Sequence, residues 1–206
     1  MITNSLSNRM IRTRLVYITF ACWALAGLSA CNSDSLGLRA SRSVAFDTLS
    51  AYSMSQTPIS FPAAYSAGNG IVVRIDPEIA FDVAFDLSGS GKVQLIPARR
   101  ISATRLVNGI PVATPRVGMQ LIKGTFESMG KAPKSGFTYD STFVVAPGEA
   151  VVFELSSNAC QYSLSNQLYA KLVIDSVAMS RRQLFFRAVR DPNCGFRSLQ
   201  PGVPKS

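Results

Sequence analysis

Between Ile79 and Leu87 apolar and polar positions alternate. Ile79, Phe81, Val83, Phe85 and Leu87 fall on one face, and Ala80, Asp82, Ala84 and Asp86 on the other. A period of two marks a half-buried β-strand. Ser88-Gly89-Ser90-Gly91 interrupts the run and Lys92-Val93-Gln94-Leu95-Ile96 resumes it. A hairpin that sets Phe85 opposite Leu95 and Leu87 opposite Val93 keeps the apolar faces together. Asn108-Gly109, between Arg105 and Val112, predicts a type I′ turn and a second hairpin. Pro111 belongs on an edge there, because it has no amide to give to a ladder. Val117, Met119 and Leu121 alternate next. Phe143 to Leu155 reads as a hairpin turning at Pro147-Gly148, and Leu168–Val177 and Gln183–Val189 flank Met179–Arg182 as a last one.

No long segment of period 3.6 competes with these strands. Short strands at even spacing, separated by Gly and Pro turns, predict an all-β fold, an antiparallel β-sandwich of immunoglobulin-like or jelly-roll-like kind. Pro147-Gly148-Glu149, entering a valine-rich strand, resembles a feature of immunoglobulin-like bacterial domains, a likeness of three residues. One domain is expected over residues 44–198 with a C-terminal tail over 199–206, and residues 201–206 are expected to fray. Phe185-Phe186 is an exception to the alternation. Neighbouring strand residues point to opposite faces, so one ring must leave the core.

The first 30 residues follow a different pattern. Arg9, Arg12 and Arg14 precede a 14-residue apolar run, Leu15 to Leu28, with no acidic residue anywhere in the segment. A basic stretch, a short apolar stretch and small residues at its end are the parts of a secretory signal. The run is short of the roughly 20 residues that a bilayer span needs. Leu28-Ser29-Ala30-Cys31 closes it, and this resembles the lipobox of bacterial lipoproteins. The resemblance covers the signal and Cys31 only. It implies lipidation of the Cys31 sulfur, cleavage before Cys31, and a protein held to a membrane of the cell envelope by its acyl chains. Asn32 lacks the charge of an Asp that retains such proteins at the inner membrane of Gram-negative cells, and so favours the outer membrane. Residues 1–30 are then a discarded signal, and 31–43, small and polar, a flexible tether.

This reading changes what composition says. The chain of 206 residues carries 21 Lys and Arg against 12 Asp and Glu, and no His. Losing the three basic residues of the signal leaves 18 against the same 12, and the only tryptophan, Trp23, leaves too. The remaining 176 residues suffice for one domain with a sizeable core. Of four cysteines, Cys22 leaves with the signal and Cys31 takes lipid. Cys160 and Cys194 are expected to form a disulfide closing a loop of 33 intervening residues, with two free buried thiols as the alternative. Two cysteines without histidine fall short of a zinc site, so no metal is expected. Nothing in the sequence asks for a cofactor.

Candidate chemistry is sparse. The absence of His removes Ser-His, Cys-His and His-metal mechanisms. Ser128-Met129-Gly130-Lys131 fits the S-x-x-K pattern of penicillin-binding enzymes, but the S-D-N and K-T-G elements of that family are missing. Asp76, Glu78, Asp82 and Asp86 would form an acidic stripe on a continuous strand. Asp82 and Asp86 would stand too far apart for a glycosidase pair. A solvated strand face accounts for them, with Asp76 and Glu78 a conceivable Ca²⁺ turn. Basic residues cluster as Arg99, Arg100 and Arg105 and again as Arg181 and Arg182, an expected patch for anionic glycans or lipid headgroups. Nucleic acid is not an expected partner. The sequence therefore predicts a lipid-anchored, non-catalytic module of the cell envelope with an envelope protein or anionic glycan as partner. An envelope hydrolase using carboxylates or Ser128 and Lys131 is the alternative.

Overall fold

The computed structural model describes residues 39–101, 106–108, 110, 111, 114 and 116–205. Cys31, Arg105 and the whole signal segment lie outside the described residues. The strands are β1 (Ala45–Tyr52), β2 (Ala64–Ser66), β3 (Ile71–Val73), β4 (Val83–Leu87), β5 (Val93–Pro97), β6 (Leu106–Val107), β7 (Ile110–Pro111), β8 (Val117–Leu121), β9 (Thr138–Tyr139), β10 (Phe143–Val145), β11 (Ala150–Ser156), β12 (Gln167–Ala178) and β13 (Gln183–Asp191). They form a six-stranded sheet, β1-β13-β12-β11-β8-β9, and a five-stranded sheet, β10-β5-β4-β2-β3, with β6 and β7 paired by themselves. Every pairing is antiparallel. The fold is an all-β sandwich.

The two sheets meet over one core. Val83, Phe85 and Leu87 on β4 and Val93 and Leu95 on β5 face Phe186, Leu184, Leu172 and Phe153 of the larger sheet. At its centre the Phe186 ring lies 5.3 Å from Tyr65 and 5.2 Å from Phe85. The β4–β5 register is the one the alternation predicts, Phe85 with Leu95 and Leu87 with Val93. The strand is shorter than its pattern, because Ile79 closes a turn onto the Asp76 carbonyl and β4 begins only at Val83.

One predicted hairpin is corrected. β10 and β11 do not pair across Pro147-Gly148; β10 pairs with β5 in one sheet and β11 with β8 and β12 in the other. Gly148, at φ +89, turns the chain from sheet to sheet, and its amide donates to the Ile174 carbonyl across the corner.

The larger sheet is covered on its second face as well. There Val152, Tyr169, Val173 and Val189 pack against Phe126, Ala132 and Leu199, with Ile122, Met129 and Phe137 around them. The segment 122–137 thus lies across the sheet as a lid of irregular chain. Burial on both faces explains why Ala150–Leu155 and Leu168–Ile174 are buried without a break. The C-terminal segment joins this layer as far as Gly202. Leu199 is buried, its amide donates to the Gly130 carbonyl, and the Val44 amide donates to the Gly202 carbonyl. Cys160 and Cys194 are bonded, with Cα atoms 5.6 Å apart, and tie the turn after β11 to the chain after β13.

Candidate binding face

A row of polar side chains crosses the lid-covered face of the larger sheet. Tyr139 pairs with Gly118, Gly118 with Glu154, and Glu154 with Tyr169. Glycine at position 118 leaves room for Tyr139 to lean over it; a Cβ there would stand 2.8 Å from the Tyr139 ring. The Tyr139 hydroxyl donates to one oxygen of the buried Glu154 carboxylate, and the Tyr169 hydroxyl donates to the other at 3.0 Å. Its hydrogen bond to Glu154 raises the pKa of Tyr139. Burial, followed by the bond to Glu154, pushes Tyr169 up to about 12. Both phenols therefore stay protonated, and both carboxylate oxygens are occupied. Arg116 stacks over the outer face of the Tyr139 ring at 4.5 Å.

Lys171 is the second buried charge on this face. It is only 3% exposed, and its ammonium donates to the carbonyls of Phe126 and Met129 at 2.6 and 2.8 Å. It also sits 4.5 Å above the Phe126 ring. Burial lowers its pKa from the ordinary lysine value. The bonds it makes staple the lid to β12. Beside it a hollow of about 330 Å³ opens between Phe46, Thr48, Phe126, Arg187, Leu199 and Pro201. Arg187 is bound at its rim by Asp175 and Glu127, both at 3.0 Å.

A third cluster joins the sheets at one end. The Asp86 carboxylate accepts from the Ser53 hydroxyl, from Ser55 Oγ at 2.7 Å and from the Leu87 amide. Arg182, in the β12–β13 turn at φ +52, donates to Ser53 Oγ and the Leu87 carbonyl, both at 2.9 Å, and pairs with Asp86 at 3.5 Å. Burial raises the Asp86 carboxyl, but the bonds from Ser53, Ser55 and Leu87 outweigh it and hold the pKa below the ordinary value. A depressed carboxyl contributes stability above its unfolded pKa of about 3.9, and that contribution is lost as pH falls through the lower folded value. The melting temperature should accordingly fall with acidification below about pH 4, and less steeply in Asp86→Asn. A profile unchanged by the substitution would show that Asp86 does not carry this linkage.

The residues singled out from the sequence are placed as follows. Arg99 is bound to Asp140 at 3.1 Å, and Arg100 and Arg181 are exposed. Arg182 is turned inward onto Asp86 and Ser53, which removes it from any surface patch with Arg181. The acidic stripe does not form on one strand. Asp76 is in a turn, bound to Arg74 and the Glu78 amide; Asp82 accepts from the Gly68 amide; Asp86 is the anchor just described. Ser128 donates to the Thr125 carbonyl within its own turn, whereas Lys131 is bridged through its backbone to Ser198. No group of three or more potential metal-ligating side chains occurs among the described residues.

Sequence reasoning missed Glu154 with its two tyrosines, and Lys171 with its two carbonyls. A signal was present: Glu154 and Lys171 each interrupt a strongly apolar strand, and a charge in such a run must find a partner. The chain matches no protein-family model, no curated protein and no solved structure.

Proposed function

We propose that the protein is a lipoprotein of the bacterial cell envelope, held to its membrane through Cys31, and that its β-sandwich is a structural or binding module and not a catalyst. Leu28-Ser29-Ala30-Cys31, at the end of a basic and then apolar segment, is the observation that carries this reading. Two or three acyl chains on one residue hold a protein stably at a bilayer, where one holds it weakly. Asn32 favours the outer membrane, and an envelope protein or an anionic envelope component is the partner class.

The non-catalytic part draws support from how three of the inward-facing ionisable groups are used. Glu154 is occupied by two phenols, Asp86 by two serines and an arginine, and Lys171 by two carbonyls. A general base or nucleophile needs a lone pair free to meet a substrate. The Ser-Lys alternative loses ground because the Ser128 hydroxyl is bound to the Thr125 carbonyl and no hydrogen bond joins it to Lys131 among the described residues.

Cys31→Ala tests the anchor. The wild-type chain should fractionate with membranes, and the variant should appear either in the soluble fraction or as an uncleaved precursor. An unchanged mass together with an unchanged partition would contradict the assignment.

A further inference from the structure

Both ends of the described chain meet at one pole of the sandwich. Asn193, just past β13, accepts from the amides of Ser41 and Arg42 at 2.9 and 3.0 Å and donates to the Arg42 carbonyl at 2.8 Å. Asp191 fixes the Asn193 side chain by accepting from its Nδ2 at 2.7 Å. Val44 is bridged to Gly202. The chain that leads back toward Cys31 is thus pinned between residues 193 and 202.

The residues that follow those two pins line a hollow of about 270 Å³: Gly195, Phe196, Arg197 and Ser198 from one side, Pro204 and Lys205 from the other, and Lys131 from the lid. Three of the seven are cations, and none is acidic. Lys131 and Ser198 stand opposite one another in an antiparallel bridge, flanked by hydrogen bonds from the Ala132 amide to the Arg197 carbonyl and from the Leu199 amide to the Gly130 carbonyl. Arg197 is held in place by donating to the Ala132 carbonyl at 2.9 Å. Among the described residues no carboxylate is paired with Lys131, Arg197 or Lys205, unlike Arg74, Arg99, Arg116, Arg182, Arg187 and Arg190 elsewhere on the molecule. Cations that line one hollow without a carboxylate partner repel one another, and an anion bound among them removes that cost. A hydroxyl, two ammonium groups and a guanidinium suit the oxygens of a phosphate group.

We propose that this hollow binds the phosphate of an anionic lipid headgroup in the membrane that holds Cys31. The proposal rests on the lipoprotein reading above. Ser41 lies ten positions after Cys31, a stretch that spans at most about 35 Å, so the pole that pins Ser41 stays within reach of the headgroups. A phosphate bound there holds the domain with this pole on the membrane.

Lysine footprinting of the full lipidated protein tests this. The protein is reconstituted into phosphatidylcholine vesicles or into equimolar phosphatidylcholine and phosphatidylglycerol. Acylation of each lysine by an amine-reactive ester is then followed by mass spectrometry. The anionic vesicles should slow Lys131 and Lys205 about fivefold relative to Lys92, which lies in the β4–β5 turn. Inorganic phosphate should protect the same two lysines in detergent micelles, and Lys131→Gln should abolish the protection of Lys205. Equal rates in both vesicles would overturn the proposal. So would equal slowing of Lys92, which would mean general adhesion, or protection by free phosphate alone, which would assign the site to a soluble anion. The mass of Cys31 in the same sample tests the anchor separately, because the detergent arm reads the hollow whether or not lipid is attached.

Discussion

Phe186→Ala should destabilise the domain by about 3 to 5 kcal/mol, whereas Phe185→Ala should cost about 1 kcal/mol or less. The two residues are neighbours with the same side chain, and only the face differs. Phe186 is fully buried between Tyr65 and Phe85 of the opposite sheet, so truncation leaves a cavity that neither sheet can close without shifting. Phe185 points to the other face and is partly exposed. Urea unfolding of residues 31–206, which contain no tryptophan, monitored by tyrosine fluorescence would give both values. Similar losses for the two variants would mean that the sheets do not pack through Phe186.

Replacing both Cys160 and Cys194 by alanine should cost about 3 to 4 kcal/mol, the amount expected for freeing a loop of this length in the unfolded chain. The bond joins residues 34 apart in sequence, and its Cα separation of 5.6 Å is ordinary for a disulfide. It also closes the base of the β11–β12 connection, on which Tyr162 and Leu164 are 95% and 85% exposed. Proteolysis after Tyr162 or Leu164 should therefore quicken in the double variant before the rest of the domain is cut. A loss below about 1 kcal/mol would contradict a structural role for the bond.

The β4–β5 hairpin was legible in the sequence because one face carries only large apolar residues and a Ser-Gly turn fixes the register. The Pro147-Gly148 corner was not, since the same turn residues serve a hairpin or a crossing between sheets. The choice is made by Val93 and Leu95, which β10 pairs with far from the turn. The lid was hidden for another reason. Phe126, Met129, Ala132 and Phe137 follow neither period of two nor 3.6, because an irregular segment has no regular face.

The charged residues divide in the same way. Arg182 reads as a turn residue and therefore as surface charge, but its left-handed backbone aims it back at Ser53 and Asp86. The Lys131, Arg197 and Lys205 hollow draws on the lid and the C-terminal tail, which nothing local in the sequence brings together. Glu154 and Lys171 were the readable exceptions, since a charge amid Val, Leu and Phe declares a buried partner even when it cannot name it.

The most direct test of the account is the mass of the N-terminal peptide of the protein extracted from cell membranes. A peptide that begins at Cys31 and is heavier by a diacylglyceryl group, with or without an acyl chain on its amine, is the predicted result. An unmodified Cys31 still joined to Ala30 would contradict it.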